Sequence, residues 1–233
     1  MSRKVLILLG HPGAGKGTQA REIMHRLSIP QISTGDMLRD AIARKTSFGR
    51  EAKARMDSGE LVNDAIVNGI VAERIQRDDC KDGFILDGYP RTVQQAATFR
   101  SMMDKSDRFV VIEIGANSED LTDRLVGRLM CSGCGEIYNE YSRAPNMAGI
   151  CNFCNAELFR RSDDREDLIR ERFKTYQEET YPLVEFYKKL GSYHHVEGMR
   201  LIKDITREIL AILDGYRDLA PVPTKAGGSQ SIA

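Results

Sequence analysis

The stretch LILLGHPGAGKGTQA, residues 6–20, constrains this chain more than any other. An aliphatic run that ends in a glycine-rich turn and continues into a helical pattern reads as a buried strand feeding a helix. Glycines let the backbone approach another group closely. The group that suits backbone N–H donors at a helix start is a phosphate. The spacing is Gly10-x4-Gly15-Lys16, followed by Gly17 and Thr18. The common phosphate-loop pattern places Ser or Thr directly after the lysine; here Gly17 intervenes. Lys16 stands where such a lysine reaches the β- and γ-phosphates. Thr18 is either a helix-start hydroxyl or a phosphate contact, and His11 reads as a loop filler with no proton role.

Further short apolar runs follow at 84–88 (FILDG) and 109–114 (FVVIEI), with a weaker strand at 192–197. They alternate with helical patterns at 16–27, 64–77, 93–103, 119–129 and 202–214. Such alternation predicts an α/β fold, a parallel sheet flanked by helices in three layers. Ligands on these sheets bind beyond the carboxyl ends of the strands, which puts the glycine loop and Asp87 on one edge. Two regions break the alternation. Residues 34–62 carry two helical patterns with no strand between them, and residues 129–160 carry cysteines among Gly, Asn and Pro. Both read as insertions at the ligand-binding edge, of the kind that serve as lids. Residues 163–190 read as one long helix, with Asp163 and Glu166 as a capping box and Pro182 kinking or dividing it. The tail LAPVPTKAGGSQSIA has the composition of a disordered end.

Four of the five cysteines fall as Cys131-x2-Cys134 and Cys151-x2-Cys154, with sixteen residues between the pairs. Two such knuckles predict a tetrahedral zinc site; the alternative is two unrelated reduced pairs. An odd count without an export signal argues against a disulfide framework. A loop of roughly thirty residues has little core of its own, and a metal ion would supply one. Cys80 reads as inert. Lys plus Arg equals Asp plus Glu, 34 each, so no global basic field points to nucleic acid. The apolar run Val5–Leu9 is too short for a signal-peptide core or a membrane span. The expectation is a cytoplasmic protein with no membrane partner.

Asp87 ends an apolar strand before Gly88-Tyr89-Pro90-Arg91. A carboxylate there suits Mg²⁺ held through water, or a local turn bond. Arg124 and Arg128 are four apart on an expected helix and would share a face. With Arg39, Arg91, Arg161 and Arg172 they flank the loop and both insertions. They either lie solvated in weak surface pairs or gather around polyphosphate, which guanidinium groups bind as a fork.

Taken in order, GHPGAGKGTQ, ISTGDMLR, MDSGELVND, GFILDGYPRT, LVGRLMCSGCGEIYN, CNFC and RSDDREDLIRERF resemble an adenylate kinase of the type with a zinc-bearing lid. The resemblance covers residues 5 to about 200. It implies a phosphate-loop NTPase fold with a helical AMP-binding insertion at 33–62 and a zinc-binding lid at 128–161. The core would comprise 1–32, 63–127 and 162–218, leaving 219–233 as tail. It assigns Gly13, Ala14, Gly15, Lys16, Gly17 and Thr18 to the ATP phosphates. Arg124 would pack on the ATP adenine, Ile137 and Tyr138 would touch that nucleotide from the lid, and Arg200 would meet its base through the main chain. Thr34, Arg39, the Glu60-Leu61-Val62 backbone, Gly88, Tyr89, Pro90, Arg91 and Gln95 would contact AMP. Arg128, Arg161 and Arg172, with Lys16 and Arg91, would clamp the transferring phosphates, and Asp163 and Asp164 would orient lid arginines. Cys131, Cys134, Cys151 and Cys154 would hold zinc. His11 and Glu197 depart from the common family residues.

The implied reaction is ATP + AMP ⇌ 2 ADP with Mg²⁺, performed by a monomer. Rival readings are a kinase for another nucleoside monophosphate and, from a different class, a zinc-ribbon nucleic-acid-binding NTPase. Against the latter stand the zero net charge and the lack of an aromatic-plus-basic run beside the cysteines. No Asn-Lys-x-Asp segment supports a switch GTPase.

Overall fold

The computed structural model describes residues 3–117 and 120–215. The expected disordered tail, 219–233, and the start of the expected helix 119–129 lie outside the described residues.

Strand β1, Lys4–Leu9, occupies the centre of a five-stranded parallel sheet. On one side it pairs with β3, Gly83–Asp87, beyond which lies β2, Gln31–Ser33. On the other it pairs with β4, Arg108–Gly115, followed by β8, Tyr193–Glu197. Successive side chains point to opposite faces of a strand. Val5, Ile7 and Leu9 therefore pack with Phe84, Leu86 and Val111 in one layer, while Leu6 and Leu8 pack with Ile85, Ile112 and Ile114 in the other. Helices α1 (Lys16–Leu27) and α9 (Ile202–Gly215) cover the second layer through Ala20, Ile23, Ile205 and Ile209. Helices α4 (Asp64–Arg74), α5 (Val93–Met102) and α8 (Pro182–Lys189) cover the first through Val71, Phe99, Leu183 and Tyr187. Burial on both faces explains why these strands read as continuous apolar runs. The three-layer α/β expectation holds.

Strand β2 was not anticipated. Its three residues, QIS, are too few for a periodic signal, and their extended form comes from pairing with Ile85, Leu86 and Asp87. Helices α2 (Thr34–Ala43) and α3 (Ser47–Asp57) follow, capped by the hydroxyls of Ser33 and Thr46. The expected helix 64–77 stops at Arg74 and gives way to a short 3₁₀ turn, Asp78–Cys80. The expected helix 119–129 contracts to α6, Leu121–Val126, because Gly127 ends it and Arg128 opens strand β5, Arg128–Cys131. Arg124 and Arg128 therefore do not share a helix face.

The expected helix 163–190 is divided into α7, Glu166–Thr175, a π-helical turn, Tyr176–Thr180, and α8. Pro182 occupies the first position of α8, where its missing N–H is no loss. The capping box at its start is absent. Arg165 is the N-cap residue and no side chain caps α7; Asp163 faces arginines instead, and charge-assisted pairs outcompete a cap.

A second, antiparallel sheet lies outside the core: β5 at the centre, with β6, Ile137–Asn139, and β7, Leu158–Phe159, at its sides. Its own buried cluster consists of Cys131, Tyr138, Cys151 and Leu158.

Candidate active site

The carboxyl ends of β1, β2 and β3 open into a cavity of about 820 Å³. Residues 10–15 run from β1 into α1, whose first turn carries no side-chain cap. Unsatisfied N–H groups at a helix start are an anion site. Register pairs Leu8 with Asp87, so the carboxylate and the loop share the edge as expected. Asp87 Oδ2 accepts from Gln31 Nε2 at 2.9 Å and lies 3.3 Å from where a Cβ on Gly17 would stand. Gly17, the residue that breaks the usual motif, thus keeps the lysine turn close to Asp87.

Lys16 Nζ folds back over the loop and donates to the Gly10 and His11 carbonyls at 2.7 and 2.8 Å. Burial, with repulsion from Arg91, Arg172 and Arg128, pushes its pKa down to about 7. Burial and like-charge neighbours also lower Arg91 to about 10 and Arg161 to about 9. Burial is the larger cause, and the crowding of like charges adds to it against the nearby carboxylates.

The carboxylates present fix where these cations point. Arg128 Nε donates to Asp164 Oδ2 at 2.7 Å, and its Nη2 bonds the other oxygen, a two-pronged pair. Arg172 Nη1 donates to the Asp163 carbonyl at 2.8 Å and to Asp164 Oδ1 at 3.1 Å. Asp36 accepts from Arg39 at 2.6 Å and from Arg161 at 3.1 Å, joining α2 to the segment after β7. Arg39 and Arg161 hold the Asp36 carboxyl below the ordinary range against its burial. Arg91 Nε donates to the Gly88 carbonyl at 2.9 Å.

The structure brings nearly all the sequence-derived candidates together. Gly13 to Thr18, Thr34, Arg39, Glu60 to Val62, Gly88, Pro90, Arg91, Gln95, Arg124, Arg128, Ile137, Tyr138, Arg161, Arg172 and Arg200 line the cavity. Tyr89 does not. Its ring is fully buried against Phe99, and its hydroxyl donates to Asn68 Oδ1 at 2.7 Å. Tyr138 reaches the cavity only marginally, since it is 2% exposed and its hydroxyl accepts from the Asn152 N–H. Gln95 is held from both ends: Oε1 accepts from the Arg91 N–H at 2.7 Å and Nε2 donates to Asp64 at 2.6 Å. Sequence reasoning missed Asp36, Gln31 and Asp64. Only Asp36 left a trace, three residues before Arg39 on one helix.

His11 lies 4.0 Å, centroid to centroid, from the Tyr176 ring and edge-on to Phe173. Burial and Lys16 lower its pKa, so it anchors the loop on the π-helical turn as a neutral ring. Cys80 is buried and its thiol is pushed up by that burial, as expected of an inert cysteine.

The sulfurs of Cys131, Cys134, Cys151 and Cys154 lie within 4.8 Å of one another, the nearest pairs at 3.3 and 3.6 Å. Tetrahedral ligands about 2.3 Å from zinc sit roughly 3.8 Å apart. Backbone N–H groups of Gly133 and Cys134 point at Cys131 Sγ, and that of Phe153 at Cys151 Sγ, each at 3.4 Å, as suits thiolates. The donor set fits a tetrahedral ion that prefers sulfur.

A central β1 that turns through a glycine-rich loop into an uncapped helix start, in a sheet ordered β2-β3-β1-β4-β8, defines a phosphate-loop NTPase. The sequence profile of the adenylate kinase family matches residues 8–192. Adenylate kinases of Archaeoglobus fulgidus and Thermodesulfovibrio yellowstonii are 44% and 46% identical over 211 residues, 90% of this chain and 97% and 98% of theirs. That of Allorhizobium ampelinum is 48% identical over 213 residues, 90% of this chain and 99% of its own. The chain belongs to the adenylate kinase family.

Proposed function

We propose that this chain transfers the terminal phosphoryl group of ATP reversibly to AMP, giving two ADP, in a Mg²⁺-dependent reaction. The observation that carries the reading is one cavity whose lining joins two groups of residues with a set of cations. The first group, taken here as one arm, is Arg124 with Gly198 and Arg200, which follow β8; the second, taken as the other arm, is Thr34, Leu38, Gly88 and Gln95, from the segments that follow β2 and β3. Lys16, Arg91, Arg128, Arg161 and Arg172 line the cavity with them.

In this reading the first arm takes ATP. The 13–18 backbone and Lys16 hold its phosphates, Arg124 packs on adenine, Ile137 and Tyr138 cover it, and the Arg200 main chain meets the base. The second arm takes AMP through Thr34, Arg39, the Glu60–Val62 backbone, Gly88, Arg91 and Gln95. Pro90 lines that arm and Tyr89 shapes it from behind. Residues 33–62 form the AMP insertion and 128–161 the lid, on a core of 1–32, 63–127 and 162–218. The Arg161–Asp36 bond, which ties lid to insertion, supports their closing on each other.

Phosphoryl transfer needs no covalent nucleophile; it needs in-line placement and neutralised charge. The guanidinium groups, already aimed by Asp36, Asp163 and Asp164, can follow charge as it moves to the transferring group. Asp87 suits Mg²⁺ held through water. That ion, arriving with ATP, neutralises phosphate charge. Zinc held by Cys131, Cys134, Cys151 and Cys154 would stiffen the lid and take no part in the chemistry, since four thiolates leave no open position. Closure over both substrates excludes water, the competing acceptor. The reading is completed by a cytoplasmic monomer acting on free nucleotides. Among the described residues no helix is long and apolar enough to cross a membrane.

A coupled assay of purified protein tests this. ADP is expected from ATP plus AMP with Mg²⁺, not without it, and at least about tenfold more slowly with UMP, CMP or GMP, since a missed hydrogen bond at a buried base costs that much or more. Faster turnover with another monophosphate would overturn the choice of acceptor.

A further inference from the structure

Glu136 stands between the first cysteine knuckle and β6, and its two carboxylate oxygens serve different parts of the molecule. Oε2 lies 3.4 Å from Arg21 Nη1 on α1, in the core. Oε1 lies 2.6 Å from Arg143 Nη2, in the lid. The same Arg21 Nη1 donates to the Cys134 carbonyl at 3.2 Å, so Arg21 grips the cysteine turn at two points. Gly135, between those acceptors, has φ of +69°, and a Cβ there would stand 2.4 Å from Arg21 Nη2. Glycine is what admits the guanidinium. On the other side, Arg143 Nη1 donates to the Ile137 carbonyl and its guanidinium carbon lies 5.5 Å from the Tyr138 ring centroid. Arg143 lines the cavity beside Ile137 and Asn139. Side-chain exposures of 23% for Arg21, 19% for Glu136 and 38% for Arg143 mean that the chain of charges is partly shielded from water.

We propose that Glu136 is a positioning residue: through Arg21 it latches the cysteine-bearing lid onto α1, and with its other oxygen it aims Arg143 at the donor nucleotide. The inference rests on the reading of this arm as the ATP site. A contact made only when lid and core meet stabilises the closed state, and whatever binds the closed state then binds more tightly. The AMP arm does not touch this chain of charges, so the effect falls on the donor. The acceptor on Cys134 exists only while the cysteine turn is ordered, which couples the latch to the metal.

The test is steady-state kinetics of Arg21→Ala, Glu136→Gln and the double variant, with thermal melting of each. Both single variants are expected to raise KM for ATP about fivefold, the scale of one partly shielded ion pair. KM for AMP should stay within twofold and the melting temperature unchanged. The double variant should fall clearly short of the product of the two single effects, because the Arg21–Glu136 pair is lost in both. An equal rise in both KM values, a multiplied effect in the double variant, or a lowered melting temperature with KM for ATP unchanged would overturn the latch while leaving the ATP reading intact. Wild-type protein that forms no ADP from ATP and AMP would overturn that reading, and the donor role of Glu136 with it.

Discussion

Replacing Lys16 with methionine is expected to lower kcat by roughly two orders of magnitude, about 3 kcal/mol, with a folded protein and little change in KM for AMP. The figure is that of removing one preorganised donor from developing negative charge. The same side chain gives a second, independent signal. In the free protein Lys16 is pushed down to about 7 by burial and by Arg91, Arg172 and Arg128. A triphosphate beside Nζ restores the charged form and raises that pKa. At pH 8 the free lysine is mostly neutral and the bound one charged, so ATP binding takes up close to one proton. At pH 6 the lysine is already charged and the uptake fades. Calorimetry in buffers of different ionisation enthalpy measures it. Uptake that does not grow between pH 6 and pH 8, or that persists in Lys16→Met, would count against this role.

Cys151→Ser is expected to lower the melting temperature by about 10 °C while leaving turnover at moderate temperature far less affected. The antiparallel sheet buries little on its own behalf: Cys131, Tyr138, Cys151 and Leu158 make up its cluster. Loss of one metal ligand therefore removes much of what orders it. Each kcal/mol shifts the midpoint of a chain this size by about 2–4 °C, so a loss of a few kcal/mol gives the stated shift. Differential scanning calorimetry with metal analysis of wild type and variant checks it. An equal loss of turnover in a variant shown to be folded would mean that the metal does more than stiffen.

What could be read from the sequence followed from periodicity and from residues whose chemistry is narrow. The strands β1, β3 and β4 announced themselves because burial on both faces leaves no polar alternation to blur them. The glycine loop and the cysteine knuckles were legible because few other uses require that spacing. Strand β2 was not, because pairing with β3 rather than its own three residues makes it extended. Pro182 marked where residues 163–190 divide, but the π-helical turn before it was invisible, since i→i+5 bonding such as Tyr181 to Tyr176 leaves the helical pattern intact on both sides. Asp163 misled in an instructive way. Its spacing to Glu166 fits a cap, but Arg39 and Arg172 lie within reach only once the chain has folded, and they claim it. Tyr89 sat in a motif whose neighbours line the cavity, yet its side chain belongs to the core.

The central place of β1 sets a schedule for synthesis. This apolar strand emerges before both its partners, which are encoded far downstream, and about a hundred residues separate its end from the end of β4. At ordinary elongation rates of 5–20 residues per second that interval lasts roughly ten seconds. Until β3 is made the nascent chain carries an aliphatic ribbon with two open flanks, and until β4 is made with one, the species to which ribosome-associated chaperones should cling.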